Sequence, residues 1–222
     1  MTVATVPAAP WKGLVTPRYP AAMTAPDLTA AAAAIDAARG VIDTAAAHLA
    51  ELGDIDAHQV LAYDLAHSAA AVEMSHTLLD YGAKGDTEAR IACAFAADAV
   101  GELAAKLFGR EAEWGVQPGA LDGTRDFVGT FRSPEFLASI DGEGPRHLDG
   151  DFEMVQDTFR RFGDDQVKPP AEHVDRTNGD VPEDIISGLA ELGAFGLSIP
   201  EEFGGFASGG ESDYMRMAVA TE

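Results

Sequence analysis

Apolar side chains recur at three- and four-residue intervals through most of the chain, which is the spacing of a helix face and not the alternation of a strand. Three long segments of this kind cover about 27–52, 56–81 and 86–114. Each is followed by a glycine expected to stop it: Gly53, Gly82 and Gly115. At about 1.5 Å per residue, each segment would be about 37 Å long. In the second, Val60, Leu61, Asp64, Leu65, Ala69, Val72, Met74, Leu78 and Leu79 fall mostly on one stripe. In the third, Ile91, Phe95, Val100, Leu103, Leu107 and Phe108 do the same. The connections GDID and GAKG are short enough to force reversal, so the pattern predicts an antiparallel, up-down-up bundle.

The flanks read differently. Pro7, Pro10, Pro17, Pro20 and Pro26 remove backbone donors and fix φ, which predicts an extended arm over 1–26 with Trp11 and Tyr19 as its anchors. After the third segment, 122–140 is broken by Gly129 and Ser133-Pro134 into two short helices, completing a helical extension over 27–140. The turn-rich, charged stretch DGEGPRHLDGD has no apolar period, and 141–150 is therefore expected to be a linker. A second module over 151–222 would follow. It opens with a helix at 151–168 stopped by Pro169-Pro170 and a polar loop, HVDRTNGD. A helix at 182–193 comes next, with Pro182 in its first turn and Gly193 at its end, then the glycine-rich loop SIPEEFGGFASGG and a last helix at 211–222. The expected fold class is all-α.

Composition agrees with this pattern. Of 41 alanines, 33 precede Trp114, and aromatics make up only 8%, as in long helices packed closely through small side chains. The 37 acidic and 15 basic side chains give a net charge of -22, which argues against nucleic acid as a partner. Cys93 is the single cysteine and sits in IACAFAADAV, where it reads as a small buried hydrophobe of a reducing compartment. No run approaches the ~18 apolar residues of a membrane span, and MTVATVPAAPWKGLVTPRYP lacks the basic-then-apolar order of a secretory signal. A cytoplasmic protein with no membrane partner is the expectation.

Candidate chemistry is sparse. His58, His67 and His76 recur every nine residues, with Asp64 and Glu73 each three residues before a histidine, as in the Glu-x-x-His element of di-iron bundles. Nine residues turn a helix by about 900°, so His67 faces away from the other two, while His58 and His76 lie roughly 27 Å apart. A metal would need ligands from the third segment, where Glu88, Asp98 and Glu102 stand; surface histidines are the simpler reading. EEFGGFASGGES lacks both the Lys-Ser/Thr pair and the Gly-x-Gly-x-x-Gly spacing of a phosphate cradle, and reads as a tight helix-to-helix connection. His147 and His173 have no nucleophile arranged beside them. No catalytic, cofactor-binding or metal-ligating residue is assigned.

One segment carries more. GLAELGAFGLSIPEEFGG, 188–205, resembles the signature near the start of acyl-CoA dehydrogenases, in which a helix ends in Leu-Gly-x-x-Gly-Leu before an Ile-Pro-Glu-Glu-aromatic-Gly-Gly turn. FEMVQDTFRRFGDDQVKPPAEHVDRTNGDVPEDII upstream and SDYMRMAVATE downstream resemble the neighbouring helices, so the likeness covers about 150–222. Leu189, Leu192, Phe195, Leu197 and Ile199 are expected to form a compact apolar seam, and Gly193, Gly196, Gly204 and Gly205 to permit backbone conformations closed to other residues.

The resemblance implies part of an α-helical N-terminal domain. In that family FAD and the acyl-CoA thioester lie between a middle β-domain and a C-terminal helical domain, and the glutamate that takes the α-proton belongs to that later part. The implied full-length protein is an oxidoreductase that removes two hydrogens from the Cα–Cβ bond of an acyl-CoA and passes electrons from FAD to an electron-transferring flavoprotein. The portion in hand would lack both base and flavin site. A helical extension ahead of the signature resembles the methylsuccinyl-CoA dehydrogenase subgroup of the ethylmalonyl-CoA pathway, which implies conversion of 2-methylsuccinyl-CoA to mesaconyl-CoA and a homo-oligomer. Residues 62–115 also resemble a helical hairpin of the family's C-terminal domain. The competing reading is a non-catalytic helical interaction module that keeps the signature.

Overall fold

The structure is a computed structural model that describes residues 24–140 and 146–222. The fold is all-α. Among the described residues there is no β-strand, only an isolated bridge between Pro200 and Ala207. The chain divides into two compact units, the first ending at Gly144 and the second beginning at Pro145. The arm expected over 1–26 lies outside the described residues except for 24–26, as do residues 141–145 of the expected linker.

The first unit holds α1 (Leu28–Leu52), α2 (Gln59–Gly82), α3 (Asp86–Leu107) and the short α4 (Arg125–Phe131) and α5 (Pro134–Leu137). The start of α1 is set by Asp27, whose carboxylate accepts from the Ala30 amide at 2.9 Å, and its end by Gly53 in the left-handed conformation, φ 74°. Such an N-cap contributes about 1 kcal/mol. Leu28 at the head of α1 packs on Gly82 at the tail of α2, and Arg39 pairs with Glu73 at 2.6 Å, so α1 and α2 run antiparallel. Lys106 donates to Ser68 at 3.3 Å, and Arg110, just past α3, meets Asp64 at 2.7 Å; α2 and α3 are likewise antiparallel.

The core between them is built from Ala31, Ala34, Ile35, Ala38, Leu61, Cys93, Ala96, Val100, Leu103 and Trp114. Alanines let the backbones approach, and the larger side chains fill what remains.

Several expectations are corrected in this unit. Val60 and Met74 were placed on the apolar stripe of α2, yet they are 68% and 56% exposed. The buried line is Leu61, Leu65, Ser68, Val72 and Ser75, a narrower seam stepping by four and three residues. Serines enter it because Ser75 donates to its own helix at Ala71 O, 2.8 Å away, and so brings no unpaired hydroxyl into the core. Gly82 does not stop α2 but is its last helical residue, and a Cβ there would sit 2.8 Å from Leu28 and 3.0 Å from Ala92.

The third segment ends at Leu107 and not at 114. Phe108 leaves the helix at ψ 113° and is 87% exposed. Seven more helical residues would carry Trp114 about 10 Å beyond Leu107, past the level where α3 meets the start of α2. Breaking the helix at Gly109 (φ 75°) returns the indole to the core, fully buried.

The second unit holds α6 (Gly150–Phe162), α7 (Lys168–Thr177), α8 (Glu183–Glu191) and α9 (Glu211–Thr221). Asp149 caps α6 by accepting from the Asp151 and Phe152 amides at 3.1 and 3.0 Å. The helix expected to stop at Pro169-Pro170 instead passes into a π-helical turn, Gly163–Val167, and the prolines occupy the first turn of α7. A proline lacks the amide that the first turn leaves unused, and the wider π turn before it relieves its clash with the preceding carbonyls. Most of the expected polar loop HVDRTNGD is therefore helix, closed by Asn178 at φ 49°. Pro182 is the N-cap of α8 and not part of its first turn.

Candidate functional site

The loop between α8 and α9 is the most constrained part of the second unit. Gly193 follows α8 with φ 75°, and its amide donates to Ala190 O at 3.0 Å. The chain then doubles on itself. The Phe206 amide donates to Gly196 O and the Ala207 amide to Ile199 O, both at 2.9 Å, while the Glu201 amide donates to Ala207 O at 3.2 Å. Gly204 makes the reversal at φ 85°.

Of the four signature glycines, only Gly193 and Gly204 serve the conformational purpose expected of them. Gly196 and Gly205 have ordinary φ and are required by contact instead. A Cβ on Gly196 would lie 2.9 Å from the Phe206 ring, and one on Gly205 would collide with the Ile199 carbonyl. Gly193 shares the first duty, since the same ring would lie 2.7 Å from a Cβ there. One aromatic ring thus lies across two glycines. The seam expected of Leu189, Leu192, Phe195, Leu197 and Ile199 is only partly formed. Leu189, Leu192 and Leu197 are half-buried, but Phe195 and Ile199 are 59% and 40% exposed, alongside Phe203 and Phe206.

Asp213 anchors the loop to α9. Its carboxylate accepts from the Ser208 and Gly209 amides at 2.8 Å each and from the Gly210 amide at 3.2 Å, and Arg216 pairs with it at 3.4 Å. Burial works against its charge, but the amides of Gly209, Gly210 and Ser208 outweigh burial and hold its pKa below the ordinary carboxylate range. Gln156, also buried, joins α6 to the end of α9. It accepts from Arg146 and donates to Glu222 at 2.5 Å. Neither Asp213 nor Phe206 was singled out from sequence. An acid three residues into a helix that follows Ser-Gly-Gly is the signal that marks Asp213. Nothing local marks Phe206, because its partners lie 10 and 13 residues away.

The histidines stay apart. His58 ends a short 3-10 turn, His67 lies against Tyr63 with ring centroids 4.3 Å apart, and His76 is exposed on α2. Asp98 pairs with Arg132 at 3.0 Å, Glu88 is buried, and Glu102 faces outward on α3. His147 adopts φ 56°, and His173 lies on the exposed surface of α7. Among the described residues, no three His, Cys, Asp or Glu side chains are grouped to hold a metal ion. Burial pushes the Cys93 thiol up, away from the thiolate form that nucleophilic or redox chemistry needs.

Residues 149–222 match the protein family described as acyl-CoA dehydrogenase, N-terminal domain. Among curated proteins, (2S)-methylsuccinyl-CoA dehydrogenase of Cereibacter sphaeroides is 49% identical over 63 residues, covering 28% of this chain and 12% of that protein. A probable acyl-CoA dehydrogenase of Bacillus subtilis, YngJ, is 39% identical over 67 residues, covering 30% and 17%. Benzylmalonyl-CoA dehydrogenase of Aromatoleum aromaticum is 43% identical over 51 residues, covering 23% and 13%. The chain therefore spans less than a fifth of the length of each of these relatives.

Proposed function

We propose that this chain, whose residues 149–222 match the acyl-CoA dehydrogenase N-terminal domain, is the N-terminal portion of an FAD-dependent enzyme of that family that oxidises the Cα–Cβ bond of an acyl-CoA thioester. The observation that carries the reading is the family match falling on the loop where glycine contacts and backbone hydrogen bonds are most exacting. A loop of that kind fixes a surface, and the surface here is apolar, with Phe195, Phe203 and Phe206 exposed along it. An exposed apolar patch on a small helical unit marks a place where other structure or ligand packs.

The residues present do not fit a flavin by themselves. The loop's buried carboxylate, Asp213, is already occupied by three amides and Arg216, and the Pro200–Ala207 reversal spends its amides internally. No chemical step is routed through this chain; its part is to supply one shaped wall. The flavin, the general base and the contact with an electron-transferring flavoprotein are assigned to the remainder of the enzyme, which we take to be a cytoplasmic homo-oligomer.

Within the family, the 49% identity to (2S)-methylsuccinyl-CoA dehydrogenase, together with a helical unit ahead of the matched segment, favours 2-methylsuccinyl-CoA as substrate and mesaconyl-CoA as product. The test is to purify the product of the whole coding frame and follow reduction of an artificial electron acceptor with a panel of acyl-CoAs. Methylsuccinyl-CoA should turn over fastest. Preference for another acyl-CoA overturns the substrate alone. A folded, flavin-free product that oxidises none of them overturns the enzyme and favours the interaction module.

A further inference from the structure

Asn178 is the only asparagine in the 222 residues, and a glycine follows it. It closes α7 in the left-handed conformation, φ 49° and ψ 42°, where its amide donates to Asp175 O at 3.2 Å and that of Gly179 to Val174 O at 2.9 Å. Asparagine tolerates this conformation better than most residues, which accounts for its place at the cap. Little holds that cap shut. No side chain of α7 is buried; Pro170 and Val174 are half-buried, while Thr177, Asn178 and Gly179 are all exposed. The Arg176–Glu172 ion pair, at 2.7 Å, lies in solvent and adds little. A helix of 10 residues without a buried face is marginal in water, so its last turn opens readily.

We propose that the exposed Asn178-Gly179 pair is a site of spontaneous deamidation, gated by opening of the last turn of α7. Glycine has no Cβ to block approach to its own nitrogen. While Gly179 donates to Val174 O that nitrogen is engaged, and ψ at Asn178 must swing away from 42° before it faces the side-chain amide. Once the turn opens, the Gly179 nitrogen gives its proton to solvent base and attacks Asn178 Cγ. The new N–Cγ bond closes a cyclic imide, the Cγ–Nδ2 bond breaks, and the leaving nitrogen takes a proton from solvent and departs as ammonia. Water then opens the imide at either carbonyl, giving aspartate or isoaspartate with no change of oxidation state. Either product puts a carboxylate at the negative end of the α7 dipole. The isoaspartyl product also adds one carbon to the backbone, so the amide bonds back to Val174 and Asp175 no longer close together. The reaction is therefore a one-way loosening of the chain that leads from α7 into α8.

The test follows the whole chain by peptide mass spectrometry, in native buffer and in urea at the same pH and temperature. The peptide holding Asn178 should take on the mass difference between an amide and a carboxyl group in both, about tenfold more slowly in native buffer. Asn178→Gly, which keeps the positive φ, should abolish that gain. A gain that persists in the variant belongs to another residue and overturns the site. Equal rates in buffer and urea overturn the gating. Native protection as great as that of the buried Val219 amide against hydrogen exchange overturns it too, because the reaction would then wait for the whole unit to unfold. In the isoaspartyl fraction the Gly179 amide should lose its exchange protection, and protection kept there overturns the loosening.

Discussion

The two units hold their shapes by different means. In the first, Ile35, Leu61, Val100, Leu103 and Trp114 are at most 1% exposed, in a continuous cluster drawn from α1, α2, α3 and the chain that follows. In the second, Ile185 and Val219 are the buried apolar side chains among the described residues, and two polar groups, Gln156 and Asp213, are buried beside them. Phe195, Phe203, Phe206 and Tyr214 are each more than half exposed. Burial of each large side chain contributes about 1.5–3 kcal/mol, so the first unit is stabilised chiefly by area removed from water. The second relies on specific approaches of backbone to ring and of amide to carboxylate. The family match falls on the second unit, residues 149–222. Packing by area tolerates many apolar substitutions, whereas a ring lying across two glycines tolerates few.

The comparison can be broken most severely at Trp114. Trp114→Ala should cost about 3–5 kcal/mol, read as a lower denaturant midpoint and faster hydrogen exchange in peptides from α1 to α3. A loss under 1 kcal/mol would mean that the indole is not central to the core. Next comes Gly205→Ala in the loop, where the added methyl meets the Ile199 carbonyl. About 1–3 kcal/mol is expected, with exchange accelerating over 196–210, and a silent substitution would remove contact as the reason for that glycine. Asp27→Ala should cost about 1 kcal/mol by uncapping α1, and Asp27→Asn should restore most of it.

The smallest effect separates the units by pH. Because the pKa of Asp213 is lowered on folding, its contribution is fully present above the unfolded carboxylate value of about 3.9. It is lost as pH falls through the lower folded value. Acid should therefore lower the protection of the Ser208, Gly209 and Gly210 amides, taken relative to each amide's intrinsic exchange rate at the same pH, at a pH below the ordinary carboxylate range, and Asp213→Asn should remove that pH dependence of the protection. Amides in the middle of α1, bonded within the helix around the buried Ile35 and Ala38, should not respond over the same interval.

Much of the helix inventory was readable from local chemistry. Gly53 ends α1 as expected, and Ser133-Pro134 opens α5, because helix stops and φ restriction depend on a few neighbouring residues. The end of α3 was not readable, since what breaks the helix at Phe108 is the need to return Trp114 to a cavity framed by other helices. Pro169 and Pro170 misled for a related reason: a proline forbids only certain hydrogen bonds, and the π turn before it had already released them. For the candidate site, the glycine and leucine pattern pointed to the right stretch of chain but not to the anchor Asp213 or the ring of Phe206.

The amino-acid order alone thus determined the helical class and most helix starts, since those follow from the 3.6-residue period and from caps within three or four residues. Only the tertiary structure decided which face of α2 is buried, where α3 stops, and why Gly196 and Gly205 must lack side chains. Those depend on atoms that are far apart along the chain and are brought within van der Waals distance only after folding.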